Sequence, residues 1–223
     1  MEKIIKKIVL GLGADACGIA DIDRFDADPW EMHPANIFPA ARSVVVFLRR
    51  LPRSFVLSDS LAAYQQAMEV ADSELDRISF QASLDIESMG AGAMPVPAGR
   101  PLEQYNEHGK LGRGLINLAH AAVYAGLGVH GRGTMLINGR FGNFVNVGAV
   151  ITNLNLQPDP MCNGTCLPDC RLCEENCPVH ALGNFKLNAE SCLNFSMGRA
   201  PDGSEVILCN RCRVICPLAV GRY

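Results

Sequence analysis

The residues able to do chemistry in this 223-residue chain crowd into its last quarter. Of ten cysteines, nine lie there: Cys162, Cys166, Cys170, Cys173, Cys177, Cys192, Cys209, Cys212 and Cys216. Two runs repeat, Cys170-x2-Cys173-x3-Cys177-Pro178 and Cys209-x2-Cys212-x3-Cys216-Pro217. This C-x2-C-x3-C-P spacing is the tail of the bacterial ferredoxin run, whose thiolates hold [4Fe–4S] clusters and whose last cysteine serves the other cluster. Each run departs from the full pattern at its first cysteine. Leu167 stands at the regular position of the first run, with Cys166 one residue earlier, and Val206 stands at that of the second, where Cys192 is the nearest cysteine upstream. Crossing the runs assigns one cluster to Cys166, Cys170, Cys173 and Cys216, and the other to Cys177, Cys192, Cys209 and Cys212. Cys162 is left over, either as a replacement for Cys166 or as a free thiol. Zinc also takes paired C-x2-C ligands, but it does not call for two C-x3-C-P tails. Two [4Fe–4S] clusters are therefore expected. His180 reads as a turn residue, and Cys17, isolated in an apolar run, as a small buried hydrophobe.

The totals narrow the setting. A net charge of −3 leaves no electrostatic footprint for nucleic acid. No apolar run approaches the length of a membrane span. Basic and apolar residues alternate at helical spacing over positions 1–11, unlike the unbroken apolar block of a signal peptide. So many cysteines without such a signal point to reduced thiols, metal chemistry and a cytoplasmic location.

Upstream elements must position whatever the cysteines serve. Residues 2–12 predict an amphipathic helix with Ile4, Ile5, Ile8, Val9 and Leu12 on one face. Residues 16–22 predict a strand. Residues 43–48, Ser-Val-Val-Val-Phe-Leu, predict a strand buried on both faces. A long helix is expected over 60–89, capped by Ser60 or Asp59 and burying Leu61, Tyr64, Met68, Ala71, Leu75, Ile78, Ala82 and Ile86. A short strand over 93–97 and a helix over 115–125 follow. Strands over 134–137 and 143–152 are expected, joined through Asn138-Gly139, a hairpin signal. The fold class is α/β (α+β). A domain over residues 1–157 is expected to hold a cofactor or substrate, and one over 158–223 to be ferredoxin-like.

The segment from Ala122 to Ile137, Ala-Val-Tyr-Ala-Gly-Leu-Gly-Val-His-Gly-Arg-Gly-Thr-Met-Leu-Ile, resembles the A-G-L-G-W-I-G-K-N-x-L-L-I segment of the epoxyqueuosine reductases, relatives of the reductive dehalogenases. Phe141-Gly142-Asn143-Phe144, Leu156-x-Pro158-Asp159, Ser191-Cys192-Leu193 and Pro39 to Val46 resemble further stretches of that family, and the cysteine between its two runs supports the place given to Cys192. The resemblance implies a nitroreductase-like layered domain that seats cobalamin against two [4Fe–4S] clusters, so that single electrons reach cobalt. It implies cofactor contacts at Gly126, Gly128, Gly131 and Arg132, the last in place of a family lysine. Tight packing is the competing reason for the glycines. An electron donor (a ferredoxin, flavodoxin or reductase) is the expected partner. The family's Asp-Tyr-His stretch is not found, so the catalytic residue is unknown; Tyr64 and Tyr105 are candidate proton donors by default, each reading more readily as a core or surface residue. His120, inside the predicted 115–125 helix, reads as a core or supporting residue, and His33 and His108 carry no pattern. The chain runs only a few residues past Cys216, as a short form without the family's helical-repeat tail; with the acidic net charge, this argues against tRNA as substrate. The alternative is a ferredoxin-like electron-transfer or accessory protein without its own catalytic site.

Overall fold

A computed structural model describes residues 1–102, 113–164 and 166–221. The chain is a mixed α/β structure built on one four-stranded antiparallel sheet. Helix α1 (Glu2–Gly11) buries Ile5 and Val9 and leaves Ile4 exposed, a narrower apolar stripe than the sequence predicts. Strand β1 (Ala16–Asp21) follows, then a short α2 (Pro34–Ile37) capped by His33 Nδ1, which accepts from the Ala35 N–H at 3.2 Å. Strand β2 (Ser43–Arg50) lies between β1 and β6 (Val145–Thr152), and β3 (Ala93–Val96) completes the order β1-β2-β6-β3. Pro95 is tolerated because β3 pairs on one side only.

The unbroken apolar run of β2 is explained by two covered faces. Val44, Val46 and Leu48 pack in the cluster beneath α4 (Leu118–Tyr124), whereas Val45 and Phe47 face α1 and α3 (Leu61–Ser88). Side chains alternate across a strand, so one run feeds both cores. Ser60 caps α3 by accepting from the Ala63 N–H at 3.3 Å. Of the residues expected to be buried along α3, Tyr64, Ala71, Leu75, Ile78, Ala82 and Ile86 are.

The predicted hairpin is different in the structure. Strand β5 (Leu136–Ile137) pairs with β4 (Val129–His130), and β6 turns away to join β2 and β3. The Asn138-Gly139 turn exists, closed by Asn138↔Gly142, but it is a bridge only. A turn signal fixes a local reversal; it does not choose the strand partner, which long-range burial decides.

The cysteine stretch carries two similar halves. Helix α5 (Leu172–Glu175) begins inside the first run and is followed by β7 (Leu182–Gly183) and β8 (Lys186–Leu187). Helix α6 (Ala189–Ser196), β9 (Met197–Arg199) and β10 (Glu205–Ile207) lead to α7 (Arg211–Val214), inside the second run. Asp159 ties the lead-in to the sheet: Ile19 N–H donates to its carboxylate at 2.8 Å, and Lys6 Nζ does so at 2.5 Å. At the far end Ala219 is buried with Leu51, Tyr64 and Phe144.

Candidate metal centre and adjoining cavity

Cys166, Cys170, Cys173 and Cys216 line one cavity, with Gly131, Arg132 and Pro217 in its wall. Three of them come from the first run and its lead-in, and Cys216 from the second. Burial pushes the Cys173 thiol up, and the neighbouring Cys166 and Cys216 add to this. Cys216 is likewise raised, first by burial and then by Cys166 and Cys170. Elsewhere, burial pushes the Cys212 thiol up to about 11, reinforced by Cys192, Cys209 and Cys177. Cys212 also touches the wall of the first cavity, so it stands between the two groups.

The donor chemistry suits soft metal. Crowded thiolates repel, and burial penalises those of Cys173, Cys212 and Cys216; coordinated iron would reverse both effects, because the cation becomes the largest local charge. Among the described residues, no three His, Cys, Asp or Glu side chains converge closely enough to hold a single metal ion. A cubane cluster does not need such convergence, since each thiolate meets a different iron corner. The Ala181 N–H donates to Cys177 Sγ at 3.2 Å, the kind of contact that tunes cluster potentials. Cys162 is exposed, with Sγ 3.2 Å from the Gly126 carbonyl oxygen, and is not in the wall of the cavity; Cys166 is buried in it.

A second cavity lies between α3, α4 and β6, with about 630 Å³ of space counted out to its mouth. Met135 and Asn143 belong to the walls of both cavities. Its polar lining is Asp72, Thr134, Asn143, Asn146 and Arg213, set among apolar residues such as Leu118, Val145 and Val147. Asn146 Nδ2 donates to Asp72 Oδ1 at 2.6 Å, and Asn143 Nδ2 donates to the Arg213 carbonyl at 3.2 Å. The Oδ1 atoms of both asparagines are buried and have no partner among the described residues. Burial raises the Asp72 carboxyl above its ordinary range, against the lowering effect of the Asn146 hydrogen bond.

The glycines named from the sequence are placed differently from one another. Gly126 has φ +70°, and a Cβ there would meet the Pro160 carbonyl oxygen at 2.3 Å; one at Gly128 would meet that of Ile137 at 2.4 Å. Their open sides are filled by the chain's own backbone, so close packing accounts for both. Gly131 packs against Ile137 and Met135 and lies in the cysteine cavity beside Arg132. Arg132 stacks over Phe185 at 4.8 Å and pairs with Glu174 at 3.5 Å. Tyr64 is buried beneath Arg213, away from the second cavity's lining. Tyr105 and His108 lie outside the described residues. His120 is held by buried Asp28, Nδ1 to Oδ1 at 2.6 Å, with His130 beside it at a ring separation of 5.3 Å. Cys17 is partly buried in β1, where burial pushes its thiol up to about 12. Exposed His180 occupies a left-handed turn at φ 47°.

Sequence reasoning missed Asp72, Asn143, Asn146 and Arg213. A signal for the asparagines was available: two amides interrupt an otherwise apolar strand, and buried amides need partners. Asp72 had none, because a lone acid on a long helix reads as a solvated face.

Fold and cysteine grouping together define a layered α/β protein with a cysteine-walled site against its sheet. No family model matches the chain. In sequence it is similar to the epoxyqueuosine reductases, as its motifs led us to expect. It is 32% identical to that of Staphylococcus aureus (strain NCTC 8325 / PS 47) over 114 residues, 47% of this chain and 30% of the relative. It is also 32% identical to that of Bacillus subtilis (strain 168) over 111 residues, 45% of this chain and 28% of the relative. These matches span about a third of the relatives' length. In fold it is similar to the Streptococcus thermophilus epoxyqueuosine reductase structure, with TM-score 0.67 and 17% identity over 100% of this chain and 68% of that one. A catabolic reductive dehalogenase solved with 3-bromo-4-hydroxybenzoic acid gives TM-score 0.69 and 22% identity over 96% of this chain and 31% of that one. Among the described residues, no helix is long and apolar enough to cross a membrane.

Proposed function

We infer that the chain is an iron–sulfur oxidoreductase of the epoxyqueuosine reductase kind. Its cysteines hold two [4Fe–4S] clusters, one on Cys166, Cys170, Cys173 and Cys216 and the other on Cys177, Cys192, Cys209 and Cys212. The clusters supply single electrons to a cofactor or substrate in the second cavity. The reading is carried by the shared wall: Met135 and Asn143 border both the cysteine cavity and the second cavity, so a ligand there would be a direct neighbour of the first cluster. Residues 1–157 then form the cofactor or substrate domain and residues 158–223 the cluster domain, fastened through Asp159 and Ala219.

Cobalamin is the cofactor this reading favours. One structural neighbour is a reductive dehalogenase whose structure suggests a mechanism for B12-dependent dehalogenation. When bound, a corrin's cobalt supplies a strongly reducing nucleophilic centre. The chain's part is to seat the ring and exclude water with Leu118, Val145 and Val147. The electron donor is a ferredoxin, flavodoxin or reductase. Another neighbour is an epoxyqueuosine reductase solved with a tRNA stem loop, which keeps a modified tRNA among candidate substrates despite the net charge of −3.

Anaerobic titration of the cluster-loaded protein with hydroxocobalamin tests the cofactor. Saturable binding with a changed visible spectrum is expected. No binding would favour the alternative, a ferredoxin-like electron carrier, which the absence of an Asp-Tyr-His stretch already suggests.

A further inference from the structure

His120 and His130 line neither cavity and stand together elsewhere on the sheet domain. His120 and Tyr124 are four residues apart on α4 and share a helix face. The left-handed turn at Gly126 brings β4 back beside that helix, and His130 with it. The two ring centres are 5.3 Å apart, with their planes at 77°. Behind them lies Asp28, its side chain 3% exposed, which accepts from His120 Nδ1 at 2.6 Å and from the Tyr124 hydroxyl at 3.4 Å. An ionised carboxylate only accepts, so it fixes the ring proton of His120 on Nδ1 and leaves a lone pair on Nε2. The other carboxylate oxygen is buried with no partner among the described residues. A buried charge is costly unless paired, so positive charge gathered on His120, by a proton or by a metal ion at Nε2, is stabilised. His120 Nε2 and the ring nitrogens of His130 have no hydrogen-bond partner among the described residues, and none is sealed from solvent, for both side chains are only half-buried.

We propose that His120 and His130 form a site for one divalent transition-metal ion of the zinc class, with Asp28 as the positioning residue behind His120. A metal-bound histidine commonly donates its other ring N–H to a carboxylate, which orients the ring and raises its basicity. Asp28 stands in that relation to His120. Imidazole nitrogen suits zinc, copper and nickel. Two imidazoles on one tetrahedral ion, at about 2.0–2.1 Å per nitrogen, hold their ring centres roughly 5 Å apart, close to the separation here. No third His, Cys, Asp or Glu side chain among the described residues joins the pair, so water or a small ligand completes the shell. His130 stands where the resembled A-G-L-G-W-I-G-K-N segment has isoleucine, so the pair is a feature of this chain. The site is independent of the cluster and corrinoid readings.

Equilibrium dialysis of the cluster-loaded protein against micromolar zinc provides the test, with zinc and iron determined together. The protein carries Cys162→Ser, so that this exposed thiol does not compete. One zinc per chain is expected, with iron unchanged. His120→Gln and His130→Gln should each weaken zinc by about tenfold or more, and Asp28→Asn, which removes only the supporting carboxylate, by about tenfold. A second measurement needs no histidine variant, so a misfolded substitution does not spoil the test. Zinc should protect His120 and His130 from diethyl pyrocarbonate, as mapped by mass spectrometry, and leave exposed His180 reactive. Failure to bind at micromolar zinc, equal binding by folded histidine variants, or two histidines that stay as reactive with zinc as without it would each overturn the proposal. The contact between Asp28 and His120 would then be an ion pair only.

Discussion

Gly142→Ala probes the joint between the sheet and the segment that follows Cys216. Gly142 has φ +68°, and a Cβ there would lie 2.2 Å from the carbonyl oxygens of both Leu218 and Ala219. Those residues immediately follow Cys216-Pro217. An alanine in the left-handed region costs about 1–2 kcal/mol. The carbonyls must also retreat until the contact exceeds 3.0 Å, and they are backbone atoms that cannot swing aside. That retreat breaks the bonds from Asn143 N–H (3.0 Å) and Phe144 N–H (3.2 Å) to the Ala219 carbonyl. Two such bonds contribute about 1 kcal/mol each. The expected loss is roughly 3–4 kcal/mol, and it falls on the segment that carries Cys216. Anaerobic urea unfolding measures the stability. Iron release to a chelator, followed with electron paramagnetic resonance after reduction, shows which centre fails. One cluster should become labile and the other persist. Gly139→Ala is the control, since a Cβ there meets nothing within 4 Å. If Gly142→Ala loses less than about 1 kcal/mol and keeps both clusters, the joint is not as described.

Cys216→Ala should damage the same centre as Cys173→Ala, although Cys216 belongs to the second run; Cys212→Ala should damage the other. If Cys216→Ala and Cys209→Ala abolish the same spectroscopic signal, the crossed assignment is wrong. Asp72, raised by burial from an ordinary value of 3.8, binds its proton more tightly in the folded chain than in the unfolded one. Its contribution therefore favours folding below pH 4 and is lost as pH rises through the raised folded value. Melting temperatures of wild type and Asp72→Asn should differ progressively from pH 4 upward, with wild type losing ground; parallel curves would mean that the carboxyl is not perturbed. Ser60→Ala removes the oxygen that accepts from the Ala63 N–H and should cost about 1 kcal/mol in urea unfolding, with iron content unchanged. An unaltered midpoint would show that the cap contributes nothing.

Much of this architecture could be read from residues alone, for identifiable reasons. The β2 run was legible because three valines and a phenylalanine in succession can only suit a strand covered on both faces, and Val45 and Val46 do point into different cores. Helix α3 announced itself by eight apolar positions at helical spacing and a serine cap. The pairing of β5 was not legible: Leu136 and Ile137 suit either neighbour, and which one they take depends on long-range packing. The cysteines stood out because ligand spacing is written in the chain itself. The second cavity left almost no trace, because Asp72, Asn146 and Arg213 come from three distant segments, and only the fold brings them to one wall.

The central claim is that eight of the cysteines hold two [4Fe–4S] clusters. Iron and acid-labile sulfide determined together on anaerobically prepared protein test it most directly. The account predicts about eight irons and eight sulfides per chain, four of each per cluster. About four of each, or zinc without sulfide, would contradict it.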